Sequence, residues 1–215
     1  MKAQLACLAG LMGLLLLPTP LIAQINDSAT ANFNASDYEY CLVCHGSFGQ
    51  GNSVINAPVL AGMEAWSLRN QLQAFREGWR GTHPEDLIGM EMAPAATALE
   101  PQELPEVIGY ITSLPPQTAT MTDQGPQGDS EAGETLYGAC VACHGSAADG
   151  NDEYQAPALA YQDDAYLIRQ LRHFRDGVRG SHPEDKRGSR MAAAARMLDD
   201  TAIVDVVSYI RSQAP

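Results

Sequence analysis

One offset organises this chain. Residues 41–110 laid without a gap on residues 140–209, 99 positions later, are identical at 31 of 70 positions. A repeat of that length is a duplicated structural unit, so the chain must fold as two similar bodies. The matched runs include Cys41, Cys44, His45, Gly46 and Ser47 with Cys140, Cys143, His144, Gly145 and Ser146. Further on, Gly78, Arg80, Gly81, His83, Pro84, Glu85 and Asp86 match Gly177, Arg179, Gly180, His182, Pro183, Glu184 and Asp185. Between the repeats, residues 115–128 are poor in large apolar side chains and rich in turn formers, the composition of a linker. The boundaries follow as a first domain over 24–114, a linker over 115–128 and a second domain over 129–215.

The periodicity inside each repeat is helical. Leu68, Leu72 and Phe75, matched by Leu167, Leu171 and Phe174, have the i, i+4, i+7 spacing of one buried stripe. Ser130 is placed to cap a helix that holds Leu136 and Tyr137 and runs into Cys140; its counterpart in the first repeat contains Tyr38. Val107, Ile108, Tyr110 and Ile111, or Val206, Val207, Tyr209 and Ile210, mark the last helix of each repeat. No segment alternates as a strand does. The fold class is all-α with long loops.

Residues 1–23 read as a secretory signal peptide: Lys2, an apolar run from Leu5 to Leu17, a Pro18-Thr19-Pro20 break and a small residue at Ala23. The run is short for a membrane span, so the expectation is a soluble, exported protein beginning near Gln24 and residing in the periplasm. Cys7 leaves with the signal, and the remaining cysteines all fall in Cys-x-x-Cys-His: Cys41-Leu42-Val43-Cys44-His45 and Cys140-Val141-Ala142-Cys143-His144. That is the pattern of covalent c-type haem attachment. Two thiols about one helical turn apart reach the two vinyl groups of a haem, and the adjacent histidine turns a ring nitrogen toward the iron. A thioredoxin-like redox pair would want a βαβ setting and no histidine after each pair. A zinc site would need more thiolates or imidazoles than each self-contained repeat offers.

Charge narrows the partners. The formal net charge is -13, and -14 once residues 1–23, with Lys2 and no acid, are removed. Nucleic acid and anionic lipid both want a basic surface, so neither is expected as a partner. The acids are unevenly offset: residues 24–120 hold 11 against 3 arginines, net -8, and residues 121–215 hold 15 against 9 bases, net -6.

The chain resembles the di-haem cytochromes c of the cytochrome c4 family, each half being similar to a class I cytochrome c domain. The resemblance covers about residues 34–113 and 130–213. It rests on the Cys-x-x-Cys-His-Gly runs, on Ala57-Pro58-Val59-Leu60 and Ala156-Pro157-Ala158-Leu159, on the Gln-Leu-x-x-Phe-Arg-x-Gly-x-Arg-Gly helix ends, and on a following methionine. It implies two tandem class I domains with two covalently bound haem c groups, on Cys41 with Cys44 and on Cys140 with Cys143. It further implies His45 and His144 as axial iron ligands, each oriented by the carbonyl of Pro58 or Pro157. The sixth ligand would be Met92 or Met191, on a loop beyond the second helix; Met90 matches Ser189 and so has no counterpart. His83 and His182 are the rival ligands, and with them both haems would sit at low potential. Arg76, Arg80, Arg175 and Arg179 suit either haem propionates or exposed helix ends. Tyr110 and Tyr209 match the aromatic that packs on the first helix, where Gly133 is the small residue of the crossing and Asn34 stands instead in the first half. His173 faces Ala74 in the other repeat, which suits a surface or interface residue.

Iron closed on both sides has no place for a substrate, so the expected role is electron carrier, not enzyme. The expected partners are redox proteins, a dehydrogenase or an oxidase, including membrane-bound complexes, with electrons passing toward a terminal oxidase. Two alternatives remain: a cytochrome subunit of a dehydrogenase complex, and a haem enzyme with one open iron. Leu87-Ile88 and Glu91 in the first repeat become Lys186-Arg187 and Arg190 in the second, and positive charge favours reduced haem. The second haem is therefore expected to have the higher potential.

Overall fold

In the computed structural model, which describes residues 38–117 and 127–214, the first Cys-x-x-Cys-His segment lies within a helix and the second in a turn that leads into a short one. The first half comprises α1 (Glu39–His45), α2 (Ala65–Arg76), α3 (Leu87–Ala98) and α4 (Leu104–Ser113). The second comprises α5 (Ser130–Tyr137), α6 (Val141–His144), α7 (Asp164–Asp176), α8 (Lys186–Ala195) and α9 (Asp200–Ser212). Among the described residues there are no strands beyond two isolated antiparallel bridges, Asn52 with Ala57 and Asn151 with Ala156, which pin the loop after each motif. No helix among them is long and apolar enough to cross a membrane. The proposed signal peptide, Asn34 and residues 118–126 of the linker lie outside the described residues.

The predicted stripes form the cores. Leu68, Leu72 and Phe75 of α2 are buried with Val107, Ile108, Tyr110 and Ile111 of α4, and Cys41 and Met92 pack against that cluster. In the second half Leu167 and Ile168 of α7 meet Ile203, Val206, Val207 and Ile210 of α9. Helix α5 begins one residue after its cap: Asp129, not Ser130, accepts hydrogen bonds from the amides of Glu131 and Ala132. A carboxylate is the stronger acceptor at a helix N-terminus, so it takes the cap. Helix α5 crosses α9 so closely that a Cβ on Gly133 would lie 2.0 Å from the Asp205 carbonyl oxygen, which explains the small residue there. The aromatic contacts follow, Tyr137 on Tyr209 at 5.2 Å and Tyr38 on Tyr110 at 6.4 Å between ring centroids.

Two elements depart from expectation. Helix α5 does not run into the Cys140 motif but stops at Tyr137, where residues 138–140 turn before α6, and Tyr38 is the N-cap of α1 and not part of it. Met92 and Met191 sit on helices, α3 and α8, instead of on a loop. Their start is set by the Gly-x-His-Pro-Glu-Asp run. Buried Asp86 accepts from the amides of Gly89 and Gly81, and buried Asp185 accepts from Gly188. The chain turns back so tightly that a Cβ on Gly81 or Gly180 would lie 2.4 or 2.3 Å from the carbonyl oxygen of Gly89 or Gly188. Both Gly81 and Gly180 also adopt positive φ, 72° and 75°, which favours glycine. After that hook, Met- and Ala-rich sequence continues as helix. The signal is hard to read because the glycines that position the first turn look like breakers.

Candidate functional site

The two Cys-x-x-Cys-His segments place their side chains alike. Cys41 and Cys140 are half-buried, Cys44 and Cys143 are exposed, and all four thiols are free. Burial pushes the Cys41 and Cys140 thiols up, away from the depressed range of a reactive redox thiolate. His45 and His144 are buried. His45 Nδ1 lies 2.8 Å from the Pro58 carbonyl oxygen and His144 Nδ1 lies 2.9 Å from that of Pro157. A carbonyl only accepts, so each Nδ1 carries the proton and each Nε2 of the neutral ring keeps its lone pair for a metal. Burial pulls both imidazoles below their ordinary pKa; the proline carbonyls partly offset this, and at His144 so does the charge of Glu64. The ring geometry is held by the loop: the amides of Gly51 and Gly150 donate to the His45 and His144 carbonyls at 2.8 and 2.9 Å.

Met92 packs against the core of the first half and Met191 against Phe174, Ala192 and Ala195 in the second. Met90 is 45% exposed. His83 and His182 are engaged in their own turns, each Nδ1 accepting from the amide two residues on at 3.2 Å. His182 also stacks on Trp79 of the first half, with ring centroids 5.8 Å apart.

The four candidate arginines divide into pairs. Arg76 is committed to the carbonyls of Ala96 and Leu99 that close α3, and Arg175 to the carboxylates of Asp176 and Asp200. Arg80 and Arg179 instead meet between the halves. Gln71 Oε1 accepts from Arg80 at 2.6 Å and from Arg179 at 2.8 Å, while Gln170 Oε1 accepts from Arg179 at 2.6 Å and from Arg80 at 3.3 Å. Each guanidinium lies 4.4 Å over the phenylalanine of its own half, Phe75 or Phe174, that shares a cluster with the methionine. Their Nε atoms are buried without partners, and neither arginine makes an ion pair among the described residues. Burial pulls Arg179 down to about 10, with the like charge of Arg80 adding to the effect. Tyr166, Asp185 and Asp86 oppose that depression, yet no carboxylate lies within ion-pair distance of either guanidinium among the described residues, and the buried Nε donors are left for an added anion. Haem carries two carboxylates, and with free thiols, a free Nε2 and these orphaned donors the residues present fit that group.

A second set of contacts between the halves is also reciprocal. Arg169 donates to Asn56, and Asn70, at the matching position, donates to Gln155, which matches Asn56. The contacts therefore repeat about a pseudo-twofold axis. Others do not repeat: Trp66 Nε1 donates to Asp152 at 2.7 Å, with Ala165 and Ser53 at the matching positions, and one pair reaches matched peptides from unmatched positions. The Val59 amide donates to Gln162 Oε1 at 2.8 Å, and the Ala158 amide to Glu64 Oε1 at 3.0 Å. Val59 and Ala158 match at the offset of 99, but Glu64 matches Asp163 and Gln162 matches Met63. Sequence reasoning missed both residues, and the repeat held no signal for them.

Comparison with known proteins places these features. The family model described as cytochrome c matches residues 35–115 and again 130–214. A thiosulfate dehydrogenase electron acceptor from Stutzerimonas stutzeri is 34% identical over 79% of this chain and 76% of its own. A cytochrome c4 from Azotobacter vinelandii is 32% identical over 80% and 83%. The crystal structure of reduced recombinant cytochrome c4 from Pseudomonas stutzeri superposes with a TM-score of 0.65 at 27% identity, covering 82% of this chain and 95% of that one.

Proposed function

The chain belongs to the cytochrome c family, and from that premise we propose a periplasmic carrier that moves electrons between two respiratory partners, toward a terminal oxidase. It is a di-haem protein of the cytochrome c4 type, an electron carrier with two covalently bound haem c groups. In the proposed assignment, Cys41 and Cys44 hold one haem and Cys140 and Cys143 the other. His45 with Met92, and His144 with Met191, are the axial ligands. The domains are 24–114 and 129–215, joined by 115–128 and preceded by a signal peptide over 1–23.

The observation that carries this reading is the matched pair of histidine bonds to Pro58 and Pro157, each in a half whose core also holds the methionine kept at the repeat offset, Met92 or Met191. Each haem supplies a one-electron Fe(II)/Fe(III) couple. The chain's own residues do the rest. The proline carbonyls fix the histidine tautomer and raise ligand basicity. Buried Leu68, Leu72 and Phe75, with their counterparts, exclude water. Arg80 and Arg179 would offer guanidinium donors to propionates, and the half-buried thioethers of Met92 on α3 and Met191 on α8 would supply the sixth ligand. The stacking of His182 on Trp79 supports methionine over histidine in that role. The relative named as an electron acceptor of thiosulfate dehydrogenase supports a sulfur-oxidising dehydrogenase as electron donor.

The test is the absorption spectrum of the holoprotein, oxidised and reduced, with and without carbon monoxide. A methionine-to-iron charge-transfer band equivalent to two haems, with no response to carbon monoxide, is expected. Absence of the band would move ligation to His83 and His182; carbon monoxide binding to one haem in the native protein would favour an enzyme.

A further inference from the structure

Two of the unmatched contacts between the halves lie on the peptide groups that orient the histidines. Pro157 and Ala158 share one peptide unit. Its oxygen accepts from His144 Nδ1 at 2.9 Å, and its N–H donates to Glu64 Oε1 at 3.0 Å. Pro58 and Val59 share another, whose oxygen accepts from His45 Nδ1 at 2.8 Å and whose N–H donates to Gln162 Oε1 at 2.8 Å. Both acceptors come from the opposite half of the molecule. Building on the axial roles proposed above for His45 and His144, we infer that Glu64 and Gln162 are positioning residues. Each acts through a single peptide unit on the axial histidine of the other domain.

The physics is polarisation along a hydrogen-bonded chain. An acceptor on a peptide N–H draws that group toward its charge-separated form and makes its carbonyl oxygen more negative. The oxygen then holds the imidazole N–H more strongly, and the ring becomes a better donor to iron, which favours the oxidised metal. The two relays differ. Gln162 is neutral and grips Val59 twice, since its Nε2 also donates to the Val59 carbonyl at 3.1 Å. Glu64 is a carboxylate, the stronger acceptor, with its second oxygen buried and unpartnered. It occupies the N-cap position of α2 yet makes no capping bond there, whereas Asp163 at the matching position caps α7 through the Tyr166 amide. Glu64 is turned away from its own helix to serve the other half. The relay to His144 therefore pulls harder than the relay to His45.

Glu64→Gln in the full-length holoprotein keeps the shape and the acceptor while removing the charge. Potentiometry that resolves the two haems is expected to show the second haem's reduced-to-oxidised ratio, at fixed potential, shifted about threefold toward reduced, about 30 mV for a one-electron couple. The first haem should stay put. Gln162→Glu is expected to move the first haem the other way and leave the second, and the Nδ1 proton resonance of the corresponding axial histidine in the reduced protein should move in each variant. A purely structural interface role would change thermal stability without haem-specific shifts of opposite sign. Unchanged potentials in both variants, or equal shifts of both haems, would overturn the relay. The charge-transfer spectrum of the wild-type protein separately decides the ligand assignment, so the two failures are distinguishable.

Discussion

Helices α3 and α8 hold the same methionine at the same place and present opposite surfaces. On α3, Leu87 is 67% and Met90 45% exposed, and the helix has one charge, Glu91. On α8 the equivalent positions are Lys186, Ser189 and Arg190, with Arg187 beside them and no acid on the helix. What stayed the same is internal: the aspartate cap, the glycine hook and the methionine. What changed faces solvent, in a protein that is otherwise strongly acidic. The side chains packed inside both copies are alike, while the outer faces differ, with apolar side chains exposed on one and basic ones on the other. Exposed positive charge favours an acidic surface and favours reduced haem nearby.

The comparison breaks most visibly at the methionines. Met92→Ala or Met191→Ala should each abolish half of the charge-transfer band, open one iron to carbon monoxide and lower that haem's potential, leaving the other haem as it was. If both variants keep the full band, the ligands lie elsewhere.

A smaller effect is expected from making α8 resemble α3 with Lys186→Leu, Arg187→Ile and Arg190→Glu together. Taking these charges, exposed at Lys186 and Arg190 and half-buried at Arg187, as on the order of 10 Å from the iron, the second haem should lose roughly 1 kcal/mol of preference for the reduced state at low ionic strength, about fivefold in ratio. The gap between the two potentials should narrow, and high salt should mask the change. Glu64→Gln acts in the opposite sense and should widen that gap. A gap indifferent to the triple variant would mean that α8 does not set it.

The caps sharpen the comparison further. Asp185→Ala should cost about 1 kcal/mol of stability in denaturant unfolding, the usual loss of an N-cap. Asp86→Ala should cost more, because Asp86 also holds the Gly81 amide and lies 3.6 Å from His173 Nδ1 of the other half. Equal losses would show that these extra contacts contribute nothing.

The smallest effect concerns pH. Burial lowers the His173 pKa, with Asp86 opposing and Arg169, Arg179 and Arg80 adding to the depression. The unfolded state then binds a proton the folded state refuses. Its contribution to stability is full above the unfolded pKa of about 6.5 and is lost as pH falls from there through the folded value. His173→Ala, which restores the residue found at position 74, should flatten the acid side of the holoprotein's melting-temperature profile. An unchanged slope would assign that acid loss to other groups.

Much of this was legible along the chain. The motif spacing and the helical stripes predict the helix that carries Cys41 to His45 and the buried faces of α2 and α7. These features depend on neighbours a few residues away, and periodicity reports them directly. The close crossing at Gly133 followed only from the family resemblance. Helices α3 and α8 were not legible, because Gly89 and Gly188 look like breakers until the aspartates they approach are in place. The division of the arginines was equally hidden: Arg76 and Arg80 are alike in sequence, yet one closes its own domain and the other faces its counterpart across the pseudo-twofold axis.

The sequence by itself determined the duplication, the all-helical class and the chemistry of two haem-binding motifs, since each is written in short-range spacing. Only the tertiary structure decided which side chain serves which half. Glu64 and Gln162 reach equivalent peptides from non-equivalent positions, and no repeat or period can encode a hydrogen bond whose partners are brought together solely by the packing of one domain on the other.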